Sequence, residues 1–410
     1  MPAASGTALL DRYASARAFL RRYNIERDEE IDLMLQATIA RVDVLFLGDP
    51  GVGKTHAIEL MTEHCLTGAE LFTHLCAKDQ SAGEILGERD PMALKQGKVA
   101  RITSGMLPTA HVGYLDEVFK SSPPMLNPLL DIFAKRQLKV GGKTHDCSQL
   151  AIIFMSSNEL PDREDLMAFR DRIAITKFVE AVKSPEGRKA ISRIQLSLDT
   201  AGIDTSGLQP LTLDELIAIR KEANQVQVSD AMIDVMDQIE QKCLEAKHPI
   251  SQRRKGSIWK MVKAHAWARG DTAVRPDDFM VAQHMLWNHA SDVESAHDIV
   301  LKYANRFQRR AQALKEELEP IMSKMDSVKL EIDAAASRAD KLKVQQTGYH
   351  FITELAELED KAKDYIKEGE LENQDVHDLR DALHEITRAS KWTVKSLTGG
   401  DPDEDEEDED

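Results

Sequence analysis

Residues 48 to 55 read GDPGVGKT, a Gly-x-x-x-x-Gly-Lys-Thr spacing suited to holding a polyphosphate. Glycines let backbone N–H groups turn inward around phosphate oxygens, Lys54 reaches the β and γ phosphates, and the Thr55 hydroxyl is a hard oxygen ligand for magnesium. Such a cradle binds; hydrolysis needs more. VGYLDE, residues 112 to 117, ends an apolar run in two acids: Asp116 to hold magnesium through its water shell and Glu117 to polarise the attacking water. LAIIFMSSN, residues 150 to 158, also ends an apolar run in a polar side chain, Asn158, whose amide can hydrogen-bond both that water and the γ-phosphate. A strand-end asparagine serving only a turn accounts for the same pattern. FRDRIAI, residues 169 to 175, sets Arg170 and Arg172 around an aspartate, which suits either a solvated helix end or a cation reaching out to a phosphate.

Groups of this kind work only if strand ends and loops deliver them to one place. Residues 1 to 40 carry two amphipathic helical patterns, around Leu9, Leu10, Tyr13, Phe19 and Leu20 and then Ile31, Leu33 and Met34. Five short apolar runs follow: VDVLFL (42–47), LFTHL (71–75), HVGYL (111–115), LAIIFM (150–155) and IAITKF (173–178). Separated by helical or loop segments, they predict a parallel sheet covered on both faces. From about residue 183 the strand signal is gone, and helix patterns run to about 290, with Thr212 as one cap. Beyond that, Leu318, Ile321, Met325, Val328, Ile332, Ala335, Ala339 and Leu342 alternate spacings of three and four, which predicts a single helix seam with Pro320 at its first turn or at a kink. Further helical patterns at 351–366 and 376–395 favour a helical hairpin or three-helix bundle. The domain reading is 1–182, 183–290 and 291–395, with 396–410 as an acidic disordered tail.

Of 410 residues, 70 are acidic and 53 basic, and the last ten, DPDEDEEDED, hold nine of the acids; the rest still has 61 acids against 53 bases. That excess speaks against a nucleic-acid footprint, so a nucleic-acid motor or loader is the alternative and not the main reading. No stretch approaches eighteen apolar residues and the N-terminus lacks a secretory pattern, which leads to the expectation of a soluble, cytoplasmic chain with no membrane span. Four dispersed cysteines form no Cys-x-x-Cys pair, and His64, Cys65, His74 and Cys76 match no zinc spacing, so buried thiols are expected.

Taken together, these stretches resemble the AAA+ ATPases, specifically the MoxR family and its RavA-like branch, from about residue 25 to about 290. The most specific pieces are DPMALKQGKVARITSGMLPTA (90–110), YLDEVFKSSPPMLNPLLDIFAKRQ (114–137), SSNELP (156–161) followed by FRDRIAI, and SQRRKGSIWKMVKAHAWARGDTAVRPDDFMVAQHMLW (251–287). The resemblance implies an α/β fold, an AAA+ P-loop core with a five-stranded parallel sheet and an all-α lid, here followed by the C-terminal helices. It implies a magnesium-dependent ATPase with ATP and Mg2+ as cofactors. The nucleotide would be held by Gly48, Asp49, Pro50, Gly51, Val52 and Gly53, then Lys54, Thr55 and His56, with Thr55 and Asp116 on the metal. Glu117 and Asn158 would serve catalysis, Arg172 would act as a finger on the neighbouring subunit's γ-phosphate with Arg170 as the alternative, and Arg253 would be the lid's sensor arginine with Arg254 as the alternative. Residues 87–108 resemble the family's inserted loop facing the central channel, and 136–149 its hairpin, with Gly141 and Gly142 at the turn. A homo-oligomeric, hexameric ring that remodels or chaperones a target protein complex, acting with a von Willebrand factor A domain protein, is the implied assembly. After about 290 the chain shows no counterpart of the branch's β-rich segment, so that segment's partners do not carry over.

Overall fold

The computed structural model describes residues 6–49, 51–160, 169–304, 306–335, 337–371 and 376–398; Pro50 and the acidic tail from 399 lie outside the described residues. The chain divides into two compact units, Met1–Ile299 and Val300–Asp410.

In the first unit, helices α1 (Gly6–Tyr23) and α2 (Asp28–Ala40) precede β1 (Val44–Leu47), which is buried along its whole length. All five apolar runs become strands of one parallel sheet: β1, β2 (Leu71–Leu75), β3 (Val112–Asp116), β4 (Ile152–Ser157) and β5 (Ile175–Phe178), in the order β2-β3-β4-β1-β5. β1 and β4, paired on both sides and shielded on both faces, need continuous apolar sequence, and VLFL and IIFM supply it. This order sets the ends of β1, β4 and β3 side by side, each followed by one of the polar motifs.

β1 turns at once into the phosphate loop and then helix α3 (Lys54–Leu60). The 137–146 segment is a hairpin, Gln137–Val140 against Lys143–Asp146, with Gly141 and Gly142 both at positive φ (56° and 76°) as a two-residue turn of this kind demands. Its root is tied down by a buried ion pair that sequence reading did not anticipate. Arg136 Nη1 donates to Asp43 Oδ2 at 2.8 Å and Nη2 to Oδ1 at 2.5 Å, while Asp43 Oδ1 also accepts the Ile153 N–H at 2.8 Å. The pair therefore pins the hairpin to the entry of β1 and to β4. Removing one partner strands a buried charge, so Asp43→Ala is expected to cost about 3–5 kcal/mol, whereas Asp43→Ala with Arg136→Met recovers part of that loss, the Ile153 N–H staying unpaired. Urea denaturation of the two variants, followed by a probe in the first unit, checks it.

Helices α4 (Pro185–Ala201), α5 (Leu213–Gln225), α6 (Asp230–Glu245) and α7 (Gln252–Ala268) form the lid. Thr212 caps α5 as expected: its hydroxyl accepts the Glu215 N–H at 3.2 Å and the Glu215 carboxylate accepts the Thr212 N–H at 2.9 Å. α7 packs on α2 and α5, and Trp267 meets Tyr13 of α1 edge to face at 5.7 Å, so lid and sheet share one body in this chain. After α7 the pattern read as helix becomes a 3-10 stretch, Pro276–His284, organised by the buried carboxylate of Asp278, which accepts from Arg269 (2.6 Å) and the Arg275 N–H (2.7 Å).

Helix α8 (Val293–Ala304) leads into the second unit, where α9 (Arg306–Ala334), α10 (Arg338–Leu371) and α11 (His377–Thr398) pack pairwise as a three-helix bundle. The expected seam is correct from Leu318 to Ile332, with Leu318, Met325 and Ile332 buried, and wrong beyond it: α9 stops at Ala334, and Leu342 on α10 is exposed. Pro320 lies inside α9 and not at its first turn, because the helix begins a dozen residues earlier than the seam suggested. Among the described residues, no helix is long and apolar enough to cross a membrane.

Candidate active site

The phosphate loop leaves β1 through Gly48. A Cβ there would lie 2.2 Å from the Val179 carbonyl oxygen, so only glycine lets the chain pass. Gly51 and Gly53 adopt positive φ (82° and 91°), a backbone conformation that favours glycine, and a Cβ on either would meet nothing within 4 Å. Lys54, at the start of α3, turns its ammonium back onto the Gly48 and Asp49 carbonyls. Burial pulls its pKa down, against the opposing pull of Asp116, Glu117 and Asp49. Asp49 and Gly51 are exposed, while Val52, Thr55 and His56 are half-buried. Arg27, at the α1–α2 turn, donates to the Val52 carbonyl at 3.2 Å and so braces the loop from outside. Beside the loop is a narrow cavity of about 20 Å³ lined by Asn24, Arg27, Ile31, Met34, Phe46 and Val179.

Thr55 and Asp116 are brought together through two residues that the sequence reading passed over, Tyr114 and Ser156. Thr55 Oγ1 is 3.0 Å from the Tyr114 hydroxyl, which is 3.2 Å from Asp116 Oδ1 and 3.0 Å from Ser156 Oγ; Ser156 in turn donates to Asp116 Oδ1. Burial raises the Tyr114 phenol to about 12, so it stays protonated. One signal was available: Tyr114 and Asp116, two residues apart on a strand, must face the same way, and a phenol in a run of aliphatics needs a partner. A threonine hydroxyl and a carboxylate form the hard oxygen set that magnesium prefers. A divalent cation held there would neutralise charge on bridging phosphate oxygens.

Glu117 follows Asp116 in the left-handed region (φ 54°), a conformation a non-glycine residue adopts only under constraint. Its N–H donates to Asp116 Oδ1 at 3.1 Å, and its carboxylate, 14% exposed, lies 3.5 Å from Lys120 Nζ. Asn158, exposed just past β4, stands between the ends of β1 and β3 in the sheet order.

The arginines form a second cluster. Arg170 is 2% exposed, with its guanidinium over the Trp287 ring at 5.6 Å and its N–H groups on the carbonyls of Ile173 (3.3 Å) and Trp287 (3.4 Å). Burial, with Arg254 close by, brings it down to about 9, which leaves it charged at neutral pH. It is an internal strut between the FRDRI turn and the segment after the lid helices. Arg172, two residues on, is half-buried in the turn. On the lid, Arg254 is buried and donates to Asn288 Oδ1 at 3.0 Å, while Arg253 is half-exposed and pairs with Asp171 at 3.3 Å. Arg253 thus reaches the residue beside Arg172 in sequence, whereas Arg170 and Arg254, the two alternatives, are interior groups.

This sheet order, with a glycine loop and lysine after β1, an Asp-Glu pair after β3, a polar residue after β4 and a helical lid, defines an AAA+ ATPase fold. Residues 11–200 match the family model described as the MoxR domain in MoxR-vWA-beta-propeller ternary systems, and residues 213–300 match an AAA lid domain. The chain belongs to the MoxR-type AAA+ ATPases. An uncharacterized protein of Methanocaldococcus jannaschii is 30% identical over 315 residues, spanning 75% of this chain and 79% of its own length. A second from the same organism is 27% identical over 394 residues, spanning 93% and 99%, so this likeness extends into the C-terminal helical unit. A solved Cytophaga hutchinsonii protein, whose ATPase assignment is itself provisional, shares the fold with a TM-score of 0.60 at 13% identity, over 73% of this chain and 96% of that one.

Proposed function

We propose that the chain hydrolyses ATP with magnesium at an interface between identical subunits of a ring and uses the cycle to remodel a target protein complex together with a von Willebrand factor A domain protein. The observation that carries the hydrolytic part is the convergence of Thr55, Asp116 and Glu117 beside an open glycine loop at adjoining strand ends. In this reading Gly51, Gly53 and Lys54 hold the phosphates, Lys54 exchanging the loop carbonyls for phosphate oxygens. Thr55 and Asp116 hold the cation, Glu117 takes the proton of the attacking water, and Asn158 orients that water against the γ-phosphate. Arg172 serves the neighbouring subunit, its planar fork matched to phosphate oxygens, and Arg253, paired with Asp171, links lid position to that same arginine turn.

The partner rests on the description of the matching family model, whose members' systems include a vWA protein. The C-terminal three-helix bundle stands where the RavA-like branch has a β-rich segment, which favours a MoxR-type subgroup with its own adaptor over that branch. The test is sedimentation of the purified chain, with ATP or ADP, alongside a vWA-domain protein from the same source. A complex larger than the ring formed with ATP and lost with ADP is expected. ATP turnover without any such complex under either nucleotide would retire the partner and leave the ATPase.

A further inference from the structure

Thr55 and Asp116 share no direct hydrogen bond among the described residues; the Tyr114 phenol stands between them. Proton bookkeeping gives this arrangement a direction. The Asp116 carboxylate only accepts, and among the described residues its hydrogen bonds from Tyr114, Ser156 and the Glu117 N–H all fall on Oδ1. Ser156 spends its single proton on that oxygen, so Tyr114, which also has one, gives it to Asp116 directly or to Ser156 Oγ. Either way the phenol is a donor on that side. The Thr55 hydroxyl must then donate to it, and its lone pairs are turned away from Tyr114. Among the described residues, Asp116 Oδ2 accepts no hydrogen bond.

We infer that Tyr114 is a positioning residue for the cation: it sets the rotor of the Thr55 hydroxyl as a donor toward the protein and, with Ser156, occupies one oxygen of Asp116, so that both ligands keep lone pairs free for the metal. The inference rests on the reading of Thr55 and Asp116 as the cation pair. It also accounts for a phenol at a fully buried strand position, where phenylalanine would pack with no hydroxyl to satisfy. Ser156 is the lesser partner. Without it, Tyr114 can still donate to Asp116 and accept from Thr55.

The experiment is magnesium titration of the binding of a fluorescent ATP analogue to the full chain, for the wild type, Tyr114→Phe and Ser156→Ala, with thermal unfolding of each in EDTA. Losing an outer hydrogen-bond partner of a metal ligand typically costs 10–100-fold in metal affinity. Tyr114→Phe is therefore expected to raise the magnesium concentration at half-saturation about tenfold or more, to leave metal-free nucleotide binding unchanged, and to regain turnover at high magnesium. Ser156→Ala should shift it by less. A folded Tyr114→Phe chain with the wild-type half-saturation overturns the inference, as does a larger shift for Ser156→Ala than for Tyr114→Phe. If Tyr114→Phe does not fold, Tyr114→His, which keeps a ring and a polar group, provides the same comparison through its half-saturation. A wild type whose nucleotide affinity ignores magnesium overturns the underlying reading and the inference with it.

Discussion

Glu117→Gln binds ATP with near wild-type affinity and turns it over about a thousandfold more slowly, within the range for removal of a general base. The side chain keeps its shape and its strained left-handed backbone, so its N–H still meets Asp116 Oδ1 and the cation pair is not disturbed. What disappears is the ability to take a proton from water. The contact with Lys120 is weakened as well, but Lys120 is more than half exposed and such a pair is worth little to stability. Nucleotide affinity by titration and turnover by phosphate release separate the two effects. A variant that hydrolyses at more than about a tenth of the wild-type rate would transfer the base role away from Glu117.

Arg172→Ala also keeps nucleotide binding and loses turnover, by about 10³-fold or more, because the cation it supplies acts on charge that develops only as the bond breaks. Arg170→Ala behaves differently. It removes a buried strut from Trp287 and is expected to destabilise the turn, lowering the unfolding midpoint along with activity. The decisive version mixes Arg172→Ala with Lys54→Ala, each inactive alone. In a head-to-tail ring, random mixing at equal ratio puts an intact loop against an intact neighbouring arginine at about a quarter of interfaces, so about that fraction of activity returns. Verified mixed rings that stay inactive at every ratio would place the arginine's action within its own subunit.

The parts of this molecule that sequence alone determined are those that depend on short-range pattern. Apolar runs of four to six residues with β-branched content, bounded by glycine or polar residues, are too short for ordinary helices, and all five became parallel strands, though Leu71–Leu75 at the sheet edge is not buried. The glycine loop was legible for the same reason: Gly48, Gly51 and Gly53 are needed by backbone geometry that no other residue meets easily. The Thr212 cap and the Gly141–Gly142 turn are equally local.

What the tertiary structure decided is what depends on residues far apart in the chain. Two adjacent arginines at 253 and 254, or two flanking an aspartate at 170 and 172, look alike in sequence; packing buries Arg170 and Arg254 against Trp287 and Asn288 and leaves Arg172 half-buried and Arg253 exposed. The end of α9 at Ala334 was hidden because the apolar spacing continues into α10, and periodicity cannot mark where a chain reverses. The Asp43–Arg136 pair, 93 positions apart, and the Thr55–Tyr114 and Asp116–Ser156 bonds, 59 and 40 positions apart, join residues distant in the chain. Their partners are chosen by strand order, and strand order is a property of the folded sheet.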